Sequence, residues 1–334
     1  MARRSRHFLT SEPIGDGMRG SIGSSARRTI TSEVIESRPR LAHHAPMSAT
    51  AGVIAAIFSS ALGGSAAALT RYTIHASDPV TLAAFRFGIG FVPILAIALA
   101  VRARWPRGRD WLAVAALGAL FFSLFFVIYN VAMSYTSAAR GSLALSTLPL
   151  TTMLVAALLG REALSWRKTL GVLIALGGAA AALWSGLGDA PPQAWRGDLV
   201  MAAATLCMAL YNVWSRPLML RSSLLGFLAA GMGAGALLSV LLAWQGGGFD
   251  AAAARFGAAQ WWAIGCLGIF GGAAAFYLWV FALERTTPTR VANTMTVNPI
   301  AASSLAALLM GEPLGVHLAV GIAAVGLGIW IASR

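Results

Sequence analysis

The charged side chain that lies deepest in an apolar stretch of this sequence is Arg86, about seven residues into the stretch that begins near Val80. A guanidinium binds a carboxylate through paired hydrogen bonds, so Arg86 could contact a ligand carboxylate or form part of a gate. Its long stem could instead carry the charge toward the end of the stretch, or the guanidinium could pair with backbone carbonyls. The sequence leaves both interpretations open.

Aromatic side chains are concentrated at helical spacing in two apolar stretches, one around Phe122 and one around Tyr277. Small-molecule sites are mostly apolar with a few polar anchors, so these rings could line a binding cavity. The same rings could instead contact lipid or neighbouring helices. The candidate binding residues are Arg86, Phe122, Phe126, Tyr129, Asn130, Tyr277, Trp279 and Asn298.

Two prolines and two glutamates complete the set of candidate residues. Pro149 and Pro299 lie inside apolar stretches, where each removes a backbone donor and should kink a helix. We predict a gating role for both, although a purely structural kink would leave the same pattern.

Glu162 and Glu312 lie in short turns before later stretches, where a carboxylate can accept hydrogen bonds from the next helix's free amides. We interpret both as structural helix caps.

Acidic residues and histidines, which supply most metal ligands and proton carriers, lie in the tail, in connections or at the ends of apolar stretches. Metal-dependent lipid enzymes need clustered carboxylates or histidines, and proton pumps normally use such groups inside the membrane. Cys207 and Cys266 have no His or Cys at a metal-ligand spacing. The sequence therefore predicts no enzyme activity, no metal, no cofactor and no proton relay.

The composition indicates what surrounds these residues. Hydrophobic residues make up 57% of 334 positions and charged residues only 11%, too few charges to cover a water-soluble surface. A membrane-spanning helix needs roughly 20 mostly apolar residues, so we predict an all-α integral membrane protein with ten spans. The spans run from Thr50 to Tyr72, Val80 to Val101, Trp111 to Met133, Gly141 to Leu159, Leu170 to Ser185, Leu199 to Trp214, Leu224 to Leu242, Trp261 to Leu283, Val291 to Met310 and Gly315 to Ile331.

The formal charge of +13 could indicate a nucleic-acid partner, but the basic residues lie in the N-terminal tail and in short connections between spans. With a cytoplasmic N-terminus, twelve Lys and Arg residues fall on the inner side and four in outer connections. This distribution follows the positive-inside rule, so both termini are predicted to be cytoplasmic. We predict a bilayer partner and no nucleic acid.

An internal repeat appears when the chain is compared with itself at an offset of 150 residues. Identical pairs include Phe126 with Phe276, Thr136 with Thr286, Pro149 with Pro299 and Glu162 with Glu312. Five spans in each half would give the second half inverted topology, a common transporter design. The predicted regions are a disordered basic tail at 1–46, with Met47 as an alternative start, a first repeat at 47–187, a periplasmic linker at 188–198 and a second repeat at 199–334.

These features together resemble the drug/metabolite transporter superfamily, and in particular its ten-helix EamA-type exporters. The motifs that carry the resemblance are Asp78-Pro79, Ala83-Ala84-Phe85-Arg86, Ser134-Tyr135-Thr136-Ser137-Ala138-Ala139, Pro149, Gly160-Arg161-Glu162-Ala163-Leu164-Ser165, Thr286, Pro299 and Gly311-Glu312-Pro313-Leu314. The resemblance extends over nearly everything after Met47 and implies carrier-type transport across a bacterial inner membrane.

Charge within the spans narrows the expected substrate. With Arg86 nearly alone there, a multiply charged anion would lack neutralising partners, whereas a zwitterionic amino acid would need few. We predict facilitated export of amino acids, with aromatic ones as one possibility, by alternating access and by a monomer or homodimer. The alternatives are export of a neutral drug-like or sulfur metabolite, an ion channel and an integral-membrane enzyme.

Overall fold

The computed structural model describes residues 46–135, 144–182, 193–302 and 316–333, and every structural statement below concerns those ranges. All of them belong to one compact unit, Ala45–Arg334. Residues 1–45 of the predicted tail, residues 188–192 of the predicted linker, and Glu312 lie outside the described residues.

The described chain is helical, with no strand in the ranges given above. Six helices are long and apolar enough to cross a membrane, namely α1, α2, α3, α6, α7 and α9, which confirms six predicted spans. The other four predicted spans include shorter helices or residues outside the description, so the count of ten stays a prediction. The helices are α1 Pro46–Ile74, α2 Pro79–Ala100, α3 Asp110–Tyr135, α4 Leu148–Leu158, α5 Trp166–Ala182, α6 Ala194–Arg221, α7 Leu224–Gln245, α8 Gly248–Arg255, α9 Ala258–Arg285, α10 Pro288–Asn293 and α11 Val316–Ser333.

Large apolar side chains cover much of the outside of this helix assembly. Leu112, Leu158 and Trp262 are each more than three-quarters exposed. Water would penalise so much exposed apolar surface, whereas lipid tails would not. The exposed side chains therefore agree with the predicted bilayer environment.

Two long helices contain a π-helical segment at equivalent positions of the repeat. The segment in α3 is Ala119–Phe125, and the segment in α9 is Ile269–Ala274. Their first residues differ by 269 − 119 = 150, the offset of the sequence repeat. Single π-turns inside α-helices occur frequently at functional sites, because the extra residue rotates the following side chains and leaves a backbone carbonyl outside the regular ladder.

Helix interruptions also recur at this offset, and they correct the expectation for Pro149. Residues 146–147 form a turn before α4, and Thr294–Val297 form a 3₁₀-helix after α10. Pro149 therefore lies in the first turn of α4, where its missing N–H breaks no helical bond, and not in a helix interior. Pro299 occupies the equivalent place in the helical residues 298–302.

Packing between the halves follows one rule. The first helix of each half packs on the third helix of the other, so that α1 contacts α9 and α6 contacts α3. The second helices, α2 and α7, pack together, as do α5 and α11. Small residues allow the α5–α11 contact, because a Cβ atom at Gly171 would lie only 2.6 Å from the Gly328 carbonyl oxygen.

Connections from the two halves also meet at the helix ends. The arginine-rich end is defined as the connections at 101–109, 159–165, 222–223 and 286–287. Beside two of them, the last residue of α6, Arg221, forms an ion pair with the first residue of α3, Asp110, at 2.8 Å. Ser223 Oγ donates to the Arg104 carbonyl there at 3.0 Å. At the opposite end, the first residue of α8, Gly248, packs against Thr81 at the start of α2.

Candidate functional site

The centre of the described helices is an aromatic cluster built by the π-segment of α3. Phe121 stacks on Tyr211 of α6 with ring centroids 4.1 Å apart. Phe121, Phe122 and Phe126 each contact Phe276 of α9, with centroids 5.3 to 5.6 Å apart. Because residues of α3 and α9 meet here, the cluster joins the two halves of the repeat.

A cavity of about 40 Å³ adjoins this cluster. Its walls come from α1, α2, α3 and α6, from the second part of α9, and from the interruptions at 144–147 and 294–298. A buried water occupies roughly 10–15 Å³ on this scale, so the cavity holds about three waters. A larger organic ligand therefore requires the surrounding helices to move apart.

Arg86 supplies the positive charge of the cavity wall. Its side chain is buried, Nη2 donates to the carbonyl oxygen of Gly271 at 2.7 Å, and Nε has no partner among the described residues. The guanidinium carbon lies 4.5 Å from the Phe126 ring centroid. Gly271 belongs to the π-segment of α9, so Arg86 binds the helix where its regular geometry is interrupted. The charge therefore stays inside, paired with a backbone carbonyl, and does not reach a helix end.

Asn298 is the second polar group in the wall. It is 4% exposed, and its Oδ1 atom accepts no hydrogen bond from a described residue. A Cβ atom at Gly63 would lie 3.1 Å from Asn298 Nδ2, so α1 approaches the amide closely. A buried acceptor without a donor costs about 1–3 kcal/mol, which a ligand N–H could recover.

Tyr129 and Trp279 form the apolar sides of the cavity. The Trp279 ring is held by its indole N–H, which donates to Asn212 Oδ1 of α6 at 2.9 Å. Ser59 Oγ of α1 donates to the Ala275 carbonyl at 2.6 Å and fixes the neighbouring turn of α9. The walls of the cavity are therefore positioned by a hydrogen bond within the second half and by another between the two halves.

Three predicted site residues do not line this cavity. Asn130 Nδ2 donates to the Pro79 carbonyl at 2.9 Å and ties α3 to the start of α2. Tyr277 lines a different pocket at the arginine-rich end, and Phe122 packs within the aromatic cluster behind the cavity. Successive helical residues are about 100° apart, so Asn130 and Tyr277 face away from Tyr129 and Phe276.

Glu162 is a cap for a different helix from the one expected. Its Oε1 accepts from the backbone N–H of Thr289 in α10 at 3.1 Å, and its Oε2 accepts from Lys168 Nζ at 2.7 Å. The correction is that the carboxylate caps α10 of the second half, because the 159–165 connection brings it across to that helix. The expected cap at Glu312 lies outside the described residues.

Several cavity residues were missed from the sequence, although the repeat contained a signal for them. Leu145 and Met295 both line the cavity and are 150 residues apart, as are Tyr129 and Trp279. Gly63 of α1 and Met208 of α6, the first helices of the two halves, also line the cavity and are 145 residues apart. Applying the repeat to the candidate Phe126 would have identified Phe276, another residue of the cavity wall.

Comparison with known proteins agrees with this architecture. The model of the EamA-like transporter family matches the chain twice, at residues 50–184 and 195–334. An uncharacterized transporter of Archaeoglobus fulgidus is 24% identical over 79% of this chain and 92% of its own length. A probable terminal-alkyne amino-acid exporter of Streptantibioticus cattleyicolor is 29% identical over 70% of this chain and 80% of its own.

Two further comparisons bear on family and fold. An uncharacterized protein of Pseudomonas aeruginosa is 31% identical over 78% of this chain and 86% of its own length. A solved crystal structure at 23% identity superposes with a TM-score of 0.68 over 86% of this chain and 95% of its own. At that identity the superposition shows a shared fold alone. The two family matches cover most of the chain, and this protein therefore belongs to the EamA-like transporter family, a family of membrane transporters.

Proposed function

We propose that this protein exports small zwitterionic metabolites, amino acids in the first place, through the cavity that contains Arg86. The observation that carries the proposal is a buried guanidinium whose Nε atom has no partner among the described residues, in an aromatic cavity between the halves. A charge in a membrane interior is costly and typically serves a ligand or a pathway. The similarity to an exporter named for amino acids agrees with this substrate class.

The polar atoms of the cavity fit the two ends of an amino acid. The carboxylate would accept from Arg86 Nε, and the ammonium group would donate to Asn298 Oδ1. The side chain would then lie against Tyr129, Phe126 and Trp279, and aromatic substrates would gain most from these rings. A multiply charged anion would find one guanidinium and no second cationic group in the wall.

The mechanism we propose is alternating access by two halves of inverted topology. In an inverted arrangement, the connection between α2 and α3 lies on the same side of the membrane as the connection between α6 and α7. The Arg221–Asp110 pair, which joins these connections, supports that arrangement. Ten spans, a bacterial inner-membrane location and cytoplasmic termini belong to the same proposal, with the arginine-rich end facing the cytoplasm. The small cavity fits a state in which the pathway is closed.

A neutral drug-like or sulfur metabolite is the second candidate for the substrate. It is favoured by the predominance of apolar side chains in the wall, where the charged group is a single arginine. Such a ligand would leave Arg86 Nε unsatisfied, which makes this candidate the weaker one. A membrane enzyme is disfavoured, since the family model that matches both halves is one of transporters.

The test is flux of labelled amino acids through the purified protein in proteoliposomes. We expect saturable flux of several amino acids, and we expect Arg86→Gln to reduce kcat/KM by about 10- to 100-fold, since a charge-assisted contact contributes about 1.5–3 kcal/mol. Arg255→Gln, at the exposed end of α8, is the matched control and should leave flux unchanged. Flux of another metabolite without any amino-acid flux would contradict the substrate class and leave the carrier assignment intact.

A second measurement tests whether transport is coupled to the proton gradient. Because the spans contain no central Asp, Glu or His, we propose facilitated transport without a proton relay. A protonophore should leave flux down a substrate gradient largely intact. Loss of flux on collapse of the proton gradient would show that the protein uses a coupling route that this proposal lacks.

A further inference from the structure

A second pocket, distinct from the central cavity, lies at the arginine-rich end between α2, α7 and α9. Its volume is about 420 Å³, roughly ten times that of the central cavity. The polar part of its wall comes from Arg102, Arg104 and Arg285, and the apolar part includes Val101, Leu225 and Tyr277. One end of the pocket is therefore cationic while the rest is apolar.

The positive charge in this pocket is only partly neutralised. Glu284 is the carboxylate in the wall, and it pairs with Arg285 at 2.5 Å. The guanidinium groups of Arg102 and Arg104 form no ion pair with a described residue. Two exposed arginines thus leave a net positive charge at the pocket.

Arg102 occupies a backbone position where glycine is usual. α2 ends in a Schellman motif, in which the Ala103 N–H donates to the Ala98 carbonyl and the Arg102 N–H donates to the Leu99 carbonyl. The residue at Arg102 must then be left-handed, and its φ is 51°, the one positive φ among described residues other than glycine. A side chain in the left-handed conformation is less stable than glycine there. A functional role for the guanidinium would explain why arginine occupies this position.

The pocket lies where phospholipid headgroups would meet the protein. It is formed by the ends of three membrane helices, and the stacked Trp105 and Trp111 rings, with centroids 6.1 Å apart, lie in and beside the same connection. Tryptophans mark the headgroup level of membrane proteins. Basic pockets between helices at this level suit anionic headgroups, whose acyl chains can follow the apolar helix surfaces.

We propose that this pocket binds one anionic phospholipid, with the headgroup phosphate on Arg102, Arg104 and Arg285. Charge complementarity and the mixed wall favour a lipid over a free anion, because a free phosphate would leave the side chains of Val101, Leu225 and Tyr277 uncovered. This site is independent of the proposed transport cavity, and no residue is shared between the two walls.

Binding of labelled phosphatidylglycerol to the full chain in phosphatidylcholine nanodiscs tests the proposal. Each arginine near an anionic surface contributes about 1 kcal/mol, or roughly five-fold, so Arg102→Gln with Arg104→Gln should weaken binding by about 25-fold. The matched control is Arg107→Gln with Arg109→Gln, two exposed arginines of the same connection that do not line the pocket. Equal weakening by both pairs would show general surface attraction and overturn the site.

Two further experiments distinguish a lipid site from the alternatives. Inorganic phosphate should not displace the labelled lipid at millimolar concentration, and full displacement would show that the pocket is a phosphate site instead. Arg102→Gly removes the backbone strain together with the charge, so this variant should be more heat-stable than wild type in phosphatidylcholine and bind the lipid about five-fold more weakly. A stable Arg102→Gly variant with unchanged lipid binding would contradict the proposal.

Discussion

At the scale of single residues, Arg86 and Asn298 show how the repeat has been modified to hold polar groups. The helices α2 and α7 align at an offset of 145, so the residue equivalent to Arg86 is Gly231. The residue equivalent to Asn298 is Leu148, so each polar group exists in one half alone. The aromatic and apolar wall pairs, such as Phe126 with Phe276, are by contrast shared by both halves. Both halves therefore contribute similar apolar walls to the cavity, whereas each of these two polar groups comes from one half alone.

Replacing Asn298 separates a ligand contact from a structural contact. Asn298→Leu copies the first half, removes an unsatisfied buried acceptor, and should leave the protein as stable as wild type or about 1 kcal/mol more stable. It should raise the KM for amino-acid flux about 10-fold, because the proposed ammonium contact is lost. The measurements are thermal unfolding in detergent and flux in proteoliposomes.

Asn130→Leu provides the contrast from α3. This change removes the hydrogen bond to the Pro79 carbonyl, so stability should fall by about 1 kcal/mol with little change in KM. The reverse result, with KM affected by Asn130→Leu and not by Asn298→Leu, would mean that the cavity is not where the substrate binds.

At the scale of elements, the π-segments and interruptions determine which residues face the cavity. The π-segment of α3 lets Phe121 and Phe122 pack against the other half while Phe126 and Tyr129 face the cavity. In α9 the equivalent segment exposes the Gly271 carbonyl that accepts from Arg86. Because Arg86 binds a carbonyl within the π-segment, this local irregularity is part of the site.

The α5–α11 contact is an element whose stability can be tested directly. Gly171→Leu would force a side chain against the backbone of Gly328 and Ala332, so we expect a loss of about 2–3 kcal/mol, the size of overpacking in a tight core. Gly177→Leu in the same helix is the matched control, because nothing lies within 4 Å of a Cβ atom there. Its effect should stay within about 0.5 kcal/mol. Thermal unfolding of both variants measures the difference, and equal losses would argue against close α5–α11 packing.

At the scale of the whole molecule, the two halves are joined by contacts that run from one end of the helix assembly to the other. Glu162 of the first half caps α10 of the second, and the Arg221–Asp110 pair joins them again at the same end. Between the ends, aromatic rings from α3, α6 and α9 fill the interface. A rocking motion that opened the central cavity would have to separate some of these contacts in turn.

Sidedness labelling tests the proposed inverted arrangement. In a protein with Cys207 and Cys266 replaced by serine, Arg107→Cys and Ala254→Cys place single thiols at opposite ends. A membrane-impermeant maleimide should label Arg107→Cys from the cytoplasmic side alone and Ala254→Cys from the outside alone. Labelling of both thiols from one side would contradict the arrangement and the alternating-access mechanism that depends on it.

The sequence was enough to predict the membrane environment, six of the spans, the internal repeat and the presence of an arginine within a span. These features depend on composition and on spacing along the chain, which are local quantities that hydropathy and helical periodicity report. The family resemblance rests on the same kind of local motif. None of these features depends on how one helix is oriented against another.

Only the tertiary structure decided that Tyr129 and Trp279 line the cavity while Asn130 and Tyr277 do not, and that Glu162 caps α10. Which face of a membrane helix is inward depends on its neighbours, because almost every face of these helices is apolar and periodicity does not distinguish them. A single π-turn then rotates the following residues by about one position. The backbone partners of Arg86, Asn130 and Glu162 come from residues more than 50 positions away in sequence, which only the packing of the helices brings together.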